Sequence, residues 1–592
     1  MNGTLSSSTL SRKNEYIAVL FLAILIFLVH IRNVTSFGIF SILDDEFGYW
    51  GNAAYFLGYD WSDSISEIPY FSYGYSLILT PIYWLFKNPV TAYQVALIIN
   101  GLMVSASFIV CYKVSKLVTK SISQNFLLLI SFIIALYPAY ISYSNIAWPE
   151  ITLMFCTWLL IWCFAVINSQ SSYVVFFLIG LLSAFTYVTH QRTIGILLSS
   201  IFILIIMTLI GEIRPKKLLV SFIPIILVML CHYFIKNDLL TNLWLQQDGE
   251  LTNDYSAQFS KILEIFTADG LIKFAKTLLG HIFYIGASSM LISYFGIYYI
   301  FSRSYRSIKS LLANKNIGKV YLDSKPYFYI FLSLVFISTL LINVIFMIHP
   351  TRVDQIVYGR YIDSLQGILL LFGCVQLWET SKLSSLRVWS ICVGFLLLSI
   401  IMFGIINSSE LQEAHVLQST GLVFSSTPFG VMIPAFIAIL LFRLIVMPIV
   451  NKKTKMIASS LIILLITFIS MGFIIETATI TINKSAITIK PVVEYMQNTD
   501  EDRPIYYIWN EKGKPQYSKW DNRNTRYRMI ADCYQFLLKS KRLLILDISE
   551  INTISVPCYV ITNDPSLLKQ YSTEFKYCME AAGSVLYVSK TN

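Results

Sequence analysis

Apolar runs of about 20 residues recur along most of this chain, separated by short polar segments. Each run is long enough to cross a hydrocarbon core of roughly 30 Å as a helix. The pattern predicts spans near 16–36, 91–112, 125–143, 151–168, 173–189, 194–211, 218–235, 278–301, 327–348, 364–380, 388–406, 429–449 and 456–475. That is an α-helical polytopic membrane protein with about thirteen transmembrane helices, and an odd number puts the termini on opposite sides. Past residue 476 the periodicity changes. Strands are predicted at 504–509, 543–546, 559–562 and 585–588, and helices at 527–539 and 566–572. Alternation of this kind predicts a small C-terminal α/β domain. The chain thus divides into an N-terminal segment 1–15, a membrane domain 16–475 and the α/β domain 476–592. The membrane domain has two long polar connections, 37–90 and 236–277.

Composition agrees. Of 592 residues 56% are apolar and only 13% charged, where a soluble protein carries about 25% charged residues. Mean hydropathy is +0.64. The net charge of +10 is spread over many loops and carries no nucleic-acid signal. Lysine and arginine set the sidedness. With the N-terminus inside, the inner loops hold 19 of them and the outer loops before residue 476 hold 9. The expected location is the plasma membrane, with a cytoplasmic N-terminus and an extracytoplasmic C-terminal domain. The first apolar run lacks a small-residue cleavage site, so it reads as a retained helix. Of nine cysteines, Cys533, Cys558 and Cys578 lie in the outer domain, where one disulfide can form and one thiol is left over.

Seventeen acids before residue 476 fall on the outer side and four on the inner. The densest group is Asp44-Asp45-Glu46, just past the first span, where charge is cheap and a lipid headgroup is within reach. Other outer loops carry Trp148-Pro149-Glu150, His190-Gln191-Arg192, His349-Pro350-Thr351-Arg352 and Tyr358-Gly359-Arg360-Tyr361. A carboxylate can take a proton from an acceptor hydroxyl, and guanidinium groups can hold a phosphate leaving group. Each residue also has a plainer reading. Glu150 follows Pro149 and opens a span, where the helix dipole favours an acid. His190 and Arg192 can snorkel to the interface, and Tyr49 and Tyr75 can be packing or headgroup anchors. Three adjacent carboxylates, Asp44, Asp45 and Glu46, can alternatively hold a hard divalent cation, Mg or Mn.

These motifs, in this order, resemble the GT-C class of integral-membrane glycosyltransferases, which includes protein O-mannosyltransferases and lipid A aminoarabinose transferases. The resemblance covers about 16–475. Asp45-Glu46 with Tyr49 resembles the class's acidic pair with an aromatic three residues on. Tyr73-Gly74-Tyr75-Ser76 resembles its Tyr-rich loop, Trp148-Pro149-Glu150 a second acidic position, and Tyr358-Gly359-Arg360-Tyr361 a Gly-Arg-Tyr element. Asp44 makes a third acid, so the register of the pair is open by one. The loop lacks the Lys-Pro-Pro pattern of aminoarabinose transferases and the chain lacks a Trp-Trp-Asp motif of oligosaccharyltransferases, which argues against those subfamilies.

The resemblance implies transfer of a sugar from a polyprenyl-phosphate donor to a glycan, lipid or protein acceptor at the outer face. Asp45 is the expected base, with Asp44 as fallback and Glu46 or Glu150 positioning the acceptor or a cation. Arg360, Arg192 and Arg352 are the expected phosphate ligands, and His190, Tyr358, Tyr361, Tyr49 and Tyr75 the expected further contacts. Two rivals stand beside this reading. A transporter or flippase of a lipid-linked glycan predicts mid-span charges and an internal repeat. A glycan polymerase or ligase outside the class predicts its main loop late in the chain.

Overall fold

The computed structural model describes residues 12–65, 68–119, 122–244, 259–313, 325–380, 385–411, 429–450, 454–498, 503–509, 522–554, 557–562, 574–581 and 584–589. The expected helix at 566–572 lies outside them.

The first helix, α1 (Arg12–Ile31), shows Leu20, Phe21 and Leu28 on its outer side, as a lipid-facing helix does. The long first connection is not a free loop. It folds into α2 (Leu43–Phe56), α3 (Ser62–Ile65) and α4 (Ser76–Leu85) before α5 (Pro89–Val118) begins. Asn88 caps α5 by accepting from Val90 N at 2.9 Å. The expected span 125–143 is broken into α6 (Gln124–Ala135) and α7 (Pro138–Tyr143), because Pro138 cannot donate to the helical ladder. Next come α8 (Glu150–Val166), α9 (Tyr173–Thr189), α10 (Ile194–Leu209), α11 (Pro215–Asn242) and the short α12 (Phe259–Glu264).

The expected span 278–301 is a correction. The chain there forms α13 (Ala268–Ser288) and α14 (Ile292–Ala313), which meet at 112°. Met290 and Leu291 adopt φ of 51° and 61°, a left-handed pair that turns the backbone between them. A hydropathy window sees two apolar half-segments and cannot see the bend. The remaining helices before the C-terminal domain are α15 (Pro326–Phe346), α16 (Asp363–Glu379), α17 (Ser385–Asn407), α18 (Phe429–Val450) and α19 (Thr454–Ile487). Among the described residues seven helices are long and apolar enough to cross a membrane, or eight with the bent pair as one span.

Helix α19 continues a dozen residues past the expected end of the membrane domain. Glu476 explains why. It pairs with Arg32 at the end of α1, and its Oε1 accepts from Asn145 Nδ2 at 3.0 Å. Two turns further up, Asn483 Oδ1 accepts from Gly38 N at 3.0 Å. The Glu476 carboxylate and the Asn483 amide oxygen thus have partners in a low-dielectric interior.

The C-terminal domain follows α20 (Lys490–Asn498). Strand β1 (Ile505–Trp509) leads to α21 (Asn522–Leu538), then β2 (Leu543–Asp547), β3 (Tyr559–Thr562), β4 (Phe575–Ala581) and β5 (Ser584–Ser589). The order is β2-β1-β3-β5-β4, with β1 parallel to both neighbours and the β3–β5 and β5–β4 pairs antiparallel. Strand β4 was not expected from the sequence. It is an edge strand carrying Lys576 and Glu580, the charges that guard an open edge and blur its apolar alternation. All nine cysteines are free. The disulfide that the sequence left possible among Cys533, Cys558 and Cys578 is not formed, and Cys558 sits in a separate apolar cluster from the other two.

This domain is locked onto the first connection. Phe536 of α21 packs its ring against Phe40, Trp50, Tyr83 and Tyr93, at 4.7, 5.2, 5.7 and 6.4 Å. Lys539 Nζ donates to the carbonyls of Tyr83 and Phe86, and Trp61 Nε1 donates to Lys539 O at 2.7 Å. The domain therefore braces the segment that carries the acidic cluster.

Candidate active site

Three consecutive acids open α2, where unsatisfied N–H groups and the helix dipole favour negative charge. Successive helical positions point about 100° apart, so the three carboxylates take separate directions. Glu46 turns inward and is fully buried. Its Oε1 accepts from the backbone N–H groups of Ser41 and Ile42 at 2.6 and 2.8 Å. Its Oε2 accepts from Tyr93 Oη at 2.6 Å and Ala147 N at 2.7 Å. Burial pushes the Glu46 carboxyl up to about 7, against the pull of these four hydrogen bonds. Glu46 thereby ties the start of α2 to α5 and to the segment that leads into Glu150.

Asp45 turns the other way and pairs with Arg360, from the segment before α16. The same guanidinium donates from Nε to Glu150 Oε1 at 2.6 Å. Glu150, the first residue of α8, pairs through Oε2 with Arg192, from the turn between α9 and α10. The result is a chain of alternating charge, Asp45–Arg360–Glu150–Arg192, drawn from four separate elements. Glu150, Arg192 and Arg360 are each 3% exposed, while the Asp45 side chain is 22% exposed. The accessible end of the chain is therefore a carboxylate.

Aromatic rings frame the cations. Arg360 lies 4.0 Å over Trp148 and Arg192 lies 4.1 Å over Tyr361, contacts in which the negative ring face meets a guanidinium. Tyr358 and Tyr361 pack edge to face at 4.8 Å. His190 meets Tyr361 edge to face at 5.6 Å, and its Nδ1 accepts from Arg192 N. Burial, with Arg192 and Arg360 nearby, holds His190 well below its usual range, so the imidazole is neutral. Tyr49 and Tyr75 pack edge to face at 5.7 Å, and burial holds Tyr49 well above the usual phenol range. Arg352 is turned onto Asp354, with Nε to Oδ1 at 3.1 Å and Nη2 to Oδ2 at 3.3 Å.

Two glycines permit the close approaches. A Cβ on Gly359 would fall 1.8 Å from the Tyr284 ring. A Cβ on Gly74 would fall 2.5 Å from Thr189 N, and Gly74 N donates to Val188 O at 2.9 Å, which ties the Tyr-rich segment to the end of α9.

The structure brings together Asp45, Glu150, Arg192 and Arg360, with Tyr49, His190 and Tyr361 around them. It places Glu46 in a supporting position and Arg352 in its own ion pair. It does not bring Asp44, Asp45 and Glu46 into one set of oxygen ligands for a cation. Among the described residues no group of three or more His, Cys, Asp or Glu side chains is placed to hold a metal. We therefore derive no step through one.

Sequence reading passed over Asp363, four residues past Gly359. It accepts from Tyr137 and Tyr284 at Oδ1, at 3.2 and 2.9 Å, and from Tyr143 at Oδ2, at 2.6 Å. This buried cage fixes the start of α16, and so the segment that carries Arg360. A lone acid at a helix start gave no sign of three partners 79 to 226 residues away.

No family model and no curated protein sequence matches the chain. Among solved structures it is similar to ArnT from Cupriavidus metallidurans bound to undecaprenyl phosphate. That likeness has a TM-score of 0.50 and 10% identity over 98% of both chains. The oligosaccharyltransferase AglB from Archaeoglobus fulgidus, in complex with an inhibitory peptide and a dolichol-phosphate, gives 0.41 and 10% over 93% of this chain and 70% of that one. Arabinosyltransferase EmbB from Mycobacterium smegmatis gives 0.38 and 11% over 81% and 42%. The chain has the fold of the ArnT structure across nearly its whole length, which is the GT-C-like fold that its motifs resemble.

Proposed function

We propose that this protein is a membrane glycosyltransferase of the GT-C kind, with about thirteen crossings, a cytoplasmic N-terminus and its site at the extracytoplasmic face. It takes a sugar from a polyprenyl-phosphate carrier and passes it to a hydroxyl-bearing envelope glycan, lipid or protein. The observation that carries this reading is the single Arg360 guanidinium shared by Asp45 and Glu150, with Asp45 at the accessible end.

In the proposed reaction Asp45 accepts the proton of the acceptor hydroxyl. The acceptor oxygen forms a bond to the anomeric carbon as the carbon–oxygen bond to phosphate breaks. The electron pair leaves with the polyprenyl phosphate. Arg360 and Arg192 stabilise the charge that grows on that phosphate. Two buried donors support this assignment. Arg192 Nη1 and Trp148 Nε1 have no hydrogen-bond partner among the described residues, and a phosphate oxygen is an acceptor of the right kind for both. Glu150 holds the two arginines in register, and Glu46 positions the helix start that carries Asp45. The ArnT structure of the same fold holds undecaprenyl phosphate, a carrier of the proposed class.

The test is transfer from a labelled polyprenyl-phosphate sugar in proteoliposomes. Asp45→Asn should lower turnover by about 100-fold or more, the usual contribution of a general base. Transfer at the wild-type rate by a correctly folded Asp45→Asn protein would remove Asp45 as the base. Movement of labelled carrier across the bilayer without sugar transfer would favour the transporter.

A further inference from the structure

Between the middle of α14, the last turn of α16 and the first turn of α17, a cavity of about 360 Å³ opens. Helix α16 starts three residues after Arg360 and runs for 17 residues, so this cavity lies about 25 Å from the site along the helix axis. That is close to the thickness of a bilayer core, roughly 30 Å. Its walls are polar and carry three arginines, Arg303, Arg306 and Arg387, against one acid, Glu379. Glu379 pairs with Arg303 at 3.3 Å, and the Arg303 guanidinium lies 5.0 Å over Tyr299. The formal balance of the lining is an excess of two positive charges.

Basic residues at helix C-termini complement the dipole and ordinarily need no ligand, but Arg303 and Arg306 lie ten and seven residues before the end of α14, outside its last turn. Arg387 does not fit that explanation either. It lies in the first turn of α17, where the dipole is positive and disfavours a cation. Both α17's N-terminal end and the three guanidinium groups therefore favour an anion in the same cavity. Guanidinium forks match phosphate geometry, and the volume is in the range of small-molecule sites. Basic pockets between transmembrane helices hold anionic lipid headgroups by this chemistry.

We infer that this cavity binds a phosphate group that carries net negative charge at the membrane surface opposite the active site. The inference is independent of the proposed transfer reaction. It is tested by native mass spectrometry of the detergent-purified full chain, titrated with phosphatidylglycerol, with phosphatidylcholine and with inorganic phosphate. Phosphatidylglycerol should bind more tightly than phosphatidylcholine. Arg306→Gln and Arg387→Gln, both at exposed positions, should each weaken it about fivefold (about 1 kcal/mol). Displacement of the lipid by inorganic phosphate would identify free phosphate as a competent ligand. Retention of the lipid would identify the headgroup in its bilayer setting as the source. Equal binding of the two lipids, or unchanged binding in the double variant, overturns the inference.

Discussion

Arg360 reaches Asp45 across 315 residues of chain, and the same guanidinium donates from Nε to Glu150 at 2.6 Å. Both contacts use the fork of a guanidinium, with different nitrogens serving different acids. An ammonium has no such fork. Arg360→Lys should therefore keep the charge, lose one of the two acids, and lower transfer by about 100-fold. Arg360→Ala should also destabilise the protein, by about 3 kcal/mol, because it leaves Asp45 without its cation and Glu150 with Arg192 alone. Turnover assays together with thermal unfolding separate the two effects. A lysine variant with wild-type turnover would show that the fork is not required.

Glu46 should give the protein a stability that depends on pH. Its folded-state value is raised to about 7 from an ordinary 4.5. Between those values the native state keeps a proton that the unfolded chain has lost, so raising the pH favours unfolding. This contribution is fully present below about pH 4.5. It declines as the pH passes through 7, by about 3 kcal/mol in all. Thermal unfolding from pH 5 to 8 should show a falling transition in the wild type and a flatter one in Glu46→Gln. Parallel curves for the two proteins would rule out Glu46 as the titrating group.

Gly359→Ala should damage the site without touching a charged residue. The new methyl would meet three ring atoms of Tyr284 at 1.8 to 2.3 Å, and that ring is held by Asp363. The segment must shift, at a cost of about 1–3 kcal/mol, and Arg360 is the next residue. Turnover should fall while the expression level and membrane insertion persist. An alanine variant as active as the wild type would mean that the Tyr284 ring yields freely.

Phe536→Ala should loosen the C-terminal domain from the first connection. Removing a ring packed against four others costs about 3–5 kcal/mol. Limited proteolysis should then release the domain faster, and transfer should weaken because α2 loses its brace. Proteolysis at an unchanged rate would place the domain's anchoring elsewhere, for example in the Arg542 pairs with Asp60 and Asp63.

The sequence made some of this legible and hid the rest for definable reasons. Helices such as α5, α9, α10 and α15 follow directly from apolar runs, and four of the five strands of the C-terminal sheet follow from β-branched and aromatic runs. The bend at Met290–Leu291 escaped because hydropathy carries no information about backbone direction. The continuation of α19 escaped because Glu476 and Asn483 look like the end of a span until Arg32, Asn145 and Gly38 are seen to satisfy them.

By itself the sequence determined that this chain is a helical membrane protein and which loops carry acids and arginines. Apolar length and charge density are local properties, and a bilayer selects on them directly. Only the tertiary structure decided that Asp45, and not its neighbour Glu46, shares an arginine with Glu150. The reason is geometric. Adjacent positions on one helix point in different directions, and their partners come from elements 47 to 315 residues away. Those partners are set by how the helices pack, which no local pattern encodes.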